Sequence, residues 1–201
     1  MKLIILDRDG TINADRDDYV KSAEEWVPLP GALEAIARLN QGGWHTVVAT
    51  NQSGLGRGLF DMAALNAMHL KMNNLLQKHG GRIDAVFFCP HTPDEHCSCR
   101  KPRPGLIELI GERYGIDLSQ VPVVGDSLRD IQAAAAAGCE PHLLCGTKLG
   151  QLDPEQWAQV QQAVPGTQVH TDLSAFAQVL IQREREQHPS VGETDSGYRG
   201  E

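Results

Sequence analysis

The sequence predicts an α/β protein built on a doubly wound parallel sheet, and three observations carry that prediction. Short apolar runs recur along the chain without polar alternation, as strands covered on both faces require. Segments of helical period separate them. Each early run also stops at polar or acidic residues, which suits a sheet whose ligands bind beyond the carboxyl ends of its strands.

The elements follow in order. Leu3-Ile4-Ile5-Leu6 reads as the first strand and runs into Asp7-Arg8-Asp9-Gly10-Thr11, with a helix expected over 31–41. Thr46-Val47-Val48-Ala49 reads as the second and ends at Thr50-Asn51-Gln52-Ser53, before a helix over 61–78. Ala85-Val86-Phe87-Phe88 delivers Cys89, and a helix follows over 104–114. Val121-Pro122-Val123-Val124 delivers Gly125-Asp126-Ser127 and a helix over 127–137, and His142-Leu143-Leu144 is the last strand. Weaker helical patterns cover 154–164 and 172–183. Five strands joined by right-handed crossovers are therefore expected. The polar stretch beyond about 184 lacks periodicity, so the expectation is one domain over 1–184 and a disordered tail over 185–201.

Composition narrows the function. With 201 residues, 41% hydrophobic and 22% charged, the chain has the usage of one ordinary globular core. Eighteen basic against 26 acidic residues give a net charge of -8, the wrong sign for tracking a phosphate backbone, so no nucleic-acid partner is expected. No apolar run approaches the ~20 residues of a membrane span, and Met1-Lys2 leads into no signal-peptide pattern; a cytoplasmic monomer without membrane contact is expected. Five cysteines, an odd count with three crowded at Cys89, Cys97 and Cys99, point to metal ligands in a reducing compartment rather than to disulfides. Cys139 and Cys145 stand apart as small core residues.

Asp7 and Asp9, two residues apart at a strand's end beside Gly10, repel each other unless a cation or proton resolves the conflict. A hard divalent cation such as Mg2+ does so and suits a phosphorylated substrate, with Asp126 as a third carboxylate from across the crevice. Asp126 and Asp130 taken singly read equally well as helix caps. The chemistry that follows is nucleophilic attack by Asp7 on phosphorus, with Asp9 as general acid and then base. Thr50, Lys101 and the metal stabilise the transferred phosphoryl group. The run Ser53-Gly54-Leu55-Gly56-Arg57-Gly58 reads as a plain turn as readily as an anion loop.

Asp7-Arg8-Asp9-Gly10-Thr11, Thr50-Asn51-Gln52-Ser53-Gly54, Arg100-Lys101-Pro102 and Gly125-Asp126-Ser127-Leu128-Arg129-Asp130 stand in the order and spacing of the four motifs of the haloacid dehalogenase superfamily of phosphatases, which the chain resembles over about residues 1–150. Within it, the chain resembles the heptose bisphosphate phosphatases, relatives of the histidinol phosphatases. The resemblance implies a small phosphorylated sugar as substrate, histidinol phosphate as the alternative, and a place in activated-heptose and lipopolysaccharide core precursor synthesis. It makes Asp7 nucleophile and Mg2+ ligand, puts the main-chain carbonyl of Asp9 and the carboxylate of Asp126 on the same metal, and makes Arg100 a recognition residue. It sets Asp15, Tyr19, Asn51, Gln52, Ser53 and Ser127 at the substrate. Ser127 departs from the lysine often found there. The segments 10–31 and 53–84 are too short for a large inserted cap, so an open crevice and hydrolysis are expected.

Cys89-x-His91 and Cys97-x-Cys99 supply four ligands within eleven residues, enough for a closed tetrahedral Zn2+ site. His96 competes but breaks the symmetry of the x-spaced pairs, and the resemblance also favours His91. A closed site has no position for water, so this zinc is structural, holding Arg100 and Lys101 over the crevice.

Overall fold

The structure is a computed structural model and describes residues 1–146 and 154–187. Its strands are β1 (Lys2–Leu6), β2 (Trp44–Asn51), β3 (Ala85–Cys89), β4 (Pro122–Gly125), β5 (Glu140–Leu144) and β6 (Gln168–His170). They form one parallel sheet in the order β3-β2-β1-β4-β5-β6. From β1 the chain winds outward through β2 and β3, then returns to lay β4 on the other side of β1. That reversal opens a crevice beyond the carboxyl ends of β1 and its neighbours.

Strand alternation assigns the two helical layers. Ile4, Leu6 and Val48 face α1 (Ala32–Gln41), α3 (Met62–Lys78) and α7 (Leu173–Gln187), where Ile36, Leu65, Met68, Met72 and Phe176 are buried. Leu3, Ile5, Val47 and Ala49 face α4 (Gly105–Tyr114) and α5 (Leu128–Ala136), where Leu106, Ile110, Ala133 and Ala134 close the second layer. Fully burying each large aliphatic side chain contributes about 1.5–3 kcal/mol, so β1, apolar on both faces, anchors the sheet. The remaining helices are α2 (Ser53–Gly56) and α6 (Pro154–Ala163), with α6 burying Val160 beside Leu143.

Three expectations need correction. The sheet has six strands, not five: β6 is only Gln-Val-His, too short and polar to show a strand pattern, and exists by pairing with β5. The run Ser53–Gly56 is a short helix, α2. Helix α7 continues through Gln187, past the boundary expected at 184; the rest of the expected tail, 188–201, lies outside the described residues. As expected, only α2, α3 and turns lie between β2 and β3, so no cap domain is inserted there. Among the described residues no helix is long and apolar enough to cross a membrane.

A buried imidazole pair joins the last two strands. His142 Nδ1 and His170 Nε2 lie 3.0 Å apart, and Phe176 meets both rings edge-on. Burial, with the His142 ring adding to it, lowers the pKa of His170 from 6.5 to about 4. The unfolded chain therefore takes up a proton that native His170 refuses, and stability is lost as pH falls from about 6.5 towards 4. The melting temperature of the wild type should drop more steeply from about pH 7 to pH 5 than that of His170→Gln. Parallel slopes would refute the assignment.

Candidate active site

The crevice is assembled where β1 and β4 end. The amide of Asp7 donates to the carbonyl of Val124 at 2.8 Å, tying the two strand ends together. The chain then turns at Gly10, whose φ is +81° and where a Cβ would lie 2.0 Å from Asp126 Oδ2. Only glycine lets the first turn pass this close to the carboxylate of the fourth strand. Gly125 plays a similar part beneath Asp130, with a Cβ there falling 2.3 Å from that residue's own Cβ.

Oxygens of Asp7, Asp126 and Asp130 lie within 4.8 Å of one another. Lys101 enters this cluster almost wholly buried, its Nζ 2.9 Å from Asp7 Oδ1, 2.5 Å from Asp130 Oδ1 and 2.9 Å from the carbonyl of Ala49. Burial alone would lower the pKa of Lys101; the charges of Asp130 and Asp7 outweigh it and raise it. Burial likewise works to raise Asp130, but Lys101 and the Ser127 hydroxyl, which donates at 2.5 Å, leave it lowered. Asp7 is different: burial, with Asp130 and Asp9 nearby, outweighs Lys101 and pushes it up to about 7. Asp126 is pushed to about 7 by enclosure in the crevice and by the carboxylates of Asp7, Asp130 and Asp15. Asp130 is thus committed to Lys101, while Asp7 and Asp126 remain as crowded hard oxygens whose repulsion a divalent cation relieves; the donor set fits Mg2+.

The other expected residues converge on the same crevice, about 330 Å³ in volume. Asp9 accepts from Gln52 Nε2 at 2.7 Å and Asn13 Nδ2 at 2.8 Å, and is also paired with Arg8. Thr50, 1% exposed, accepts from Gln52 Nε2 at 3.0 Å, which leaves its hydroxyl hydrogen without an acceptor among the described residues. Asn51 forms a two-way clamp with the main chain of Lys101, both hydrogen bonds being 3.1 Å, so its amide is spent on positioning the lysine. Ser127 caps α5 through a reciprocal box with Asp130. Asp15, Tyr19, Ser53 and Arg100 also line the crevice.

Beside the crevice stand Cys89 at the end of β3 and, from the following loop, His91, Cys97 and Cys99, their ligand atoms within 4.8 Å of one another. The separations Cys89–Cys99 (3.2 Å), Cys89–His91 (3.5 Å) and Cys89–Cys97 (3.6 Å) approach the ~3.8 Å edge of a tetrahedron with zinc–sulfur bonds of about 2.3 Å. Burial and its neighbours push the Cys89 thiol up to about 12, whereas hydrogen bonds from Cys99 and Cys89 overcome burial at Cys97 and bring it to about 7. Such a set fits Zn2+. The carbonyl of His91 accepts from Arg100 Nη1 at 3.2 Å, and those of His96 and Cys97 accept from Arg103. His96 serves through its main chain, in a left-handed turn.

Three participants were not singled out in the sequence. Asp130 read as a cap and is also the partner of Lys101. Arg129, on the first turn of α5, lines the crevice. Arg8 is completely buried beneath Asp9, which its position between two aspartates hints at by strand alternation alone.

Comparison with known proteins agrees with this geometry. A family described as hydrolase, haloacid dehalogenase-like hydrolase, matches residues 11–138. The D-glycero-beta-D-manno-heptose-1,7-bisphosphate 7-phosphatase of Bordetella bronchiseptica is 56% identical over 183 residues, covering 90% of this chain and 99% of the relative. Its namesake in Pseudomonas aeruginosa is 48% identical, covering 90% and 98%. The crystal structure of the D,D-heptose 1,7-bisphosphate phosphatase from B. bronchiseptica complexed with magnesium and phosphate superposes with a TM-score of 0.83 at 55% identity, covering 91% of this chain and 99% of that one.

The soft donors of the loop and the hard donors of the crevice should load separately. Elemental analysis of protein purified without chelator should find about one zinc per chain, lost in His91→Ala and Cys99→Ala but kept in His96→Ala. Retention in His91→Ala with loss in His96→Ala would reverse the ligand assignment.

Proposed function

This chain belongs to the haloacid dehalogenase-like hydrolases, and from that premise we propose how its crevice works: as a Mg2+-dependent phosphomonoesterase that removes the 7-phosphate of D-glycero-D-manno-heptose 1,7-bisphosphate. The relatives are named for the β anomer, and the same anomer is proposed here. The observation that carries the mechanism is the placing of Asp7, with Oδ1 held by Lys101 and Oδ2 unpartnered among the described residues, next to Asp9, Thr50 and Asp126.

An oxygen of Asp7 attacks phosphorus, and the bond from phosphorus to the sugar oxygen breaks as the aspartyl phosphate forms. Asp9 gives its proton to the departing oxygen. Water then attacks the aspartyl phosphate, Asp9 takes the proton, and cleavage of the bond between phosphorus and the Asp7 oxygen releases inorganic phosphate. Lys101 and the Thr50 hydroxyl face charge that develops on the phosphoryl oxygens, where fixed donors are worth most. Asp7, Asp126 and the main-chain oxygen of Asp9 hold the Mg2+, which neutralises phosphoryl charge when bound.

Arg100, held by the zinc loop, reads the far end of the substrate beside Asp15, Tyr19 and Ser127. Gln52 and Ser53 shape the near wall. One chain supplies every one of these groups, which supports action as a monomer. Five free cysteines, three of them gathered as metal ligands, support a reducing, cytoplasmic setting. We take the phosphatase domain to run as a single unit through α7.

Asp7→Asn should abolish turnover, and acid-quench trapping should place the covalent phosphate on Asp7; trapping on another residue would overturn the assignment. Asp9→Asn should lower turnover by about 10²–10⁴-fold.

Lys101→Ala should lower kcat by about 10²-fold or more on every phosphate ester. Arg100→Ala should instead lower kcat/KM for the bisphosphate by about 10-fold or more and barely affect an aryl phosphate, because it binds a group that only the bisphosphate has. Steady-state kinetics on the bisphosphate, histidinol phosphate and an aryl phosphate decide both the residues and the substrate. Equal losses on bisphosphate and aryl phosphate for Arg100→Ala would remove its recognition role.

A further inference from the structure

Asp9 is held from behind. Whereas Asp7 and Asp9 both line the crevice, the intervening Arg8 points away from it and is 0% exposed. Its guanidinium grips both oxygens of Asp9: Nη2 lies 2.9 Å from Oδ1 and 3.0 Å from Oδ2, and Nε lies 3.1 Å from Oδ1. With Asn13 and Gln52 completing the set, the carboxylate has no freedom to rotate without breaking charge-assisted hydrogen bonds.

The guanidinium is anchored in turn. Its Nη1 lies 3.3 Å from Nε2 of His69, on α3. Arginine has only donors and keeps its charge, so Nε2 must be the acceptor and the imidazole proton must sit on Nδ1. A neutral ring agrees with its surroundings: burial, and Arg8 after it, lower the pKa of His69 to about 4. Helix α3 is a firm base for this contact, since Met68 and Met72 are fully buried and Lys71 Nζ donates to the carbonyls of Ala23 and Trp26 at 2.7 and 2.8 Å.

We propose that His69 and Arg8 are positioning residues for the second half of the reaction: the neutral imidazole fixes the buried guanidinium, which aims the Asp9 carboxylate at the water that hydrolyses the aspartyl phosphate. The inference rests on the reading of Asp9 as acid/base. In this step the water oxygen bonds to phosphorus, its proton passes to Asp9 and the Asp7–phosphorus bond breaks. The grip on both oxygens keeps the carboxylate in one orientation as the water's proton passes to it. Neither His69 nor Arg8 needs to touch substrate.

An aryl phosphate isolates the step, because its phenolate leaves without a proton and enzyme phosphorylation survives damage to Asp9. Rapid mixing then reads two quantities: a burst of phenolate, counting phosphorylated sites, and a steady rate, reporting hydrolysis of the aspartyl phosphate. Asp9→Asn should show a burst near one per active site followed by very slow turnover. His69→Ala should show a burst larger than the wild type's, with the steady rate about tenfold lower, the low end for a group acting through another. His69→Gln, whose amide oxygen can accept from Arg8, should restore most of the rate. Burst amplitude counts working sites, so partial misfolding cannot imitate this pattern. A slowed His69→Ala without an enlarged burst, or turnover at the wild-type rate, overturns the relay while leaving Asp9 in its role. A missing burst in Asp9→Asn removes the acid/base reading and the relay with it.

Discussion

The ammonium of Lys101, sealed between Asp7 and Asp130, is the interaction on which the rest of the site depends. Removing one partner from a buried ion pair costs roughly 3–5 kcal/mol, because the charge left behind has neither water nor counterion. The pair therefore fixes three separate pieces of chain against one another: the end of β1, the first turn of α5 and the loop that follows β3. Asp130, drawn to the lysine and to the capping Ser127, is withdrawn from the metal position. Asp7 and Asp126 are left as the crowded carboxylates that a divalent cation reconciles.

Lys101 has to arrive from a loop with no core of its own. The four soft ligands just before it solve that problem at short range, and the amide of Asn51 grips the lysine's main chain from β2. The two metal positions are thereby divided by chemistry. Sulfur and imidazole gather beside the crevice, where shape matters, and carboxylates gather within it, where charge matters. Arg100 shares the anchorage through the carbonyl of His91, so the same loop brings both cations, Lys101 and Arg100, to the crevice.

Asp9 is governed by a different set of neighbours. Its carboxylate meets Gln52 and Asn13 from the sides and Arg8 from beneath, with α3 behind Arg8. Asp7 and Asp9, only two residues apart, thus lean chiefly on different neighbours: Asp7 on a loop tied to β2, Asp9 on Arg8 and the layer of helices packed on the opposite side of the sheet from α4 and α5.

Much of this was legible in the sequence by itself. Apolar runs ending in Asp7, Thr50, Cys89 and Asp126 determined the parallel sheet and the edge at which chemistry collects, because burial on both faces forces a continuous apolar strand and leaves polar groups only at its ends. The x-spaced ligand pairs marked a zinc loop because the donor types and their closeness are local properties. Only the tertiary structure decided the rest. The strand β6 has no pattern of its own and is made by its neighbour. That Asp130 serves Lys101, that Asn51 spends its amide on the main chain of the lysine, and that Arg8 reaches His69 across 61 residues all depend on which groups meet in space. Hydrogen bonds and ion pairs act over about 3 Å, and periodicity along a chain carries no record of which distant side chain will stand at that distance.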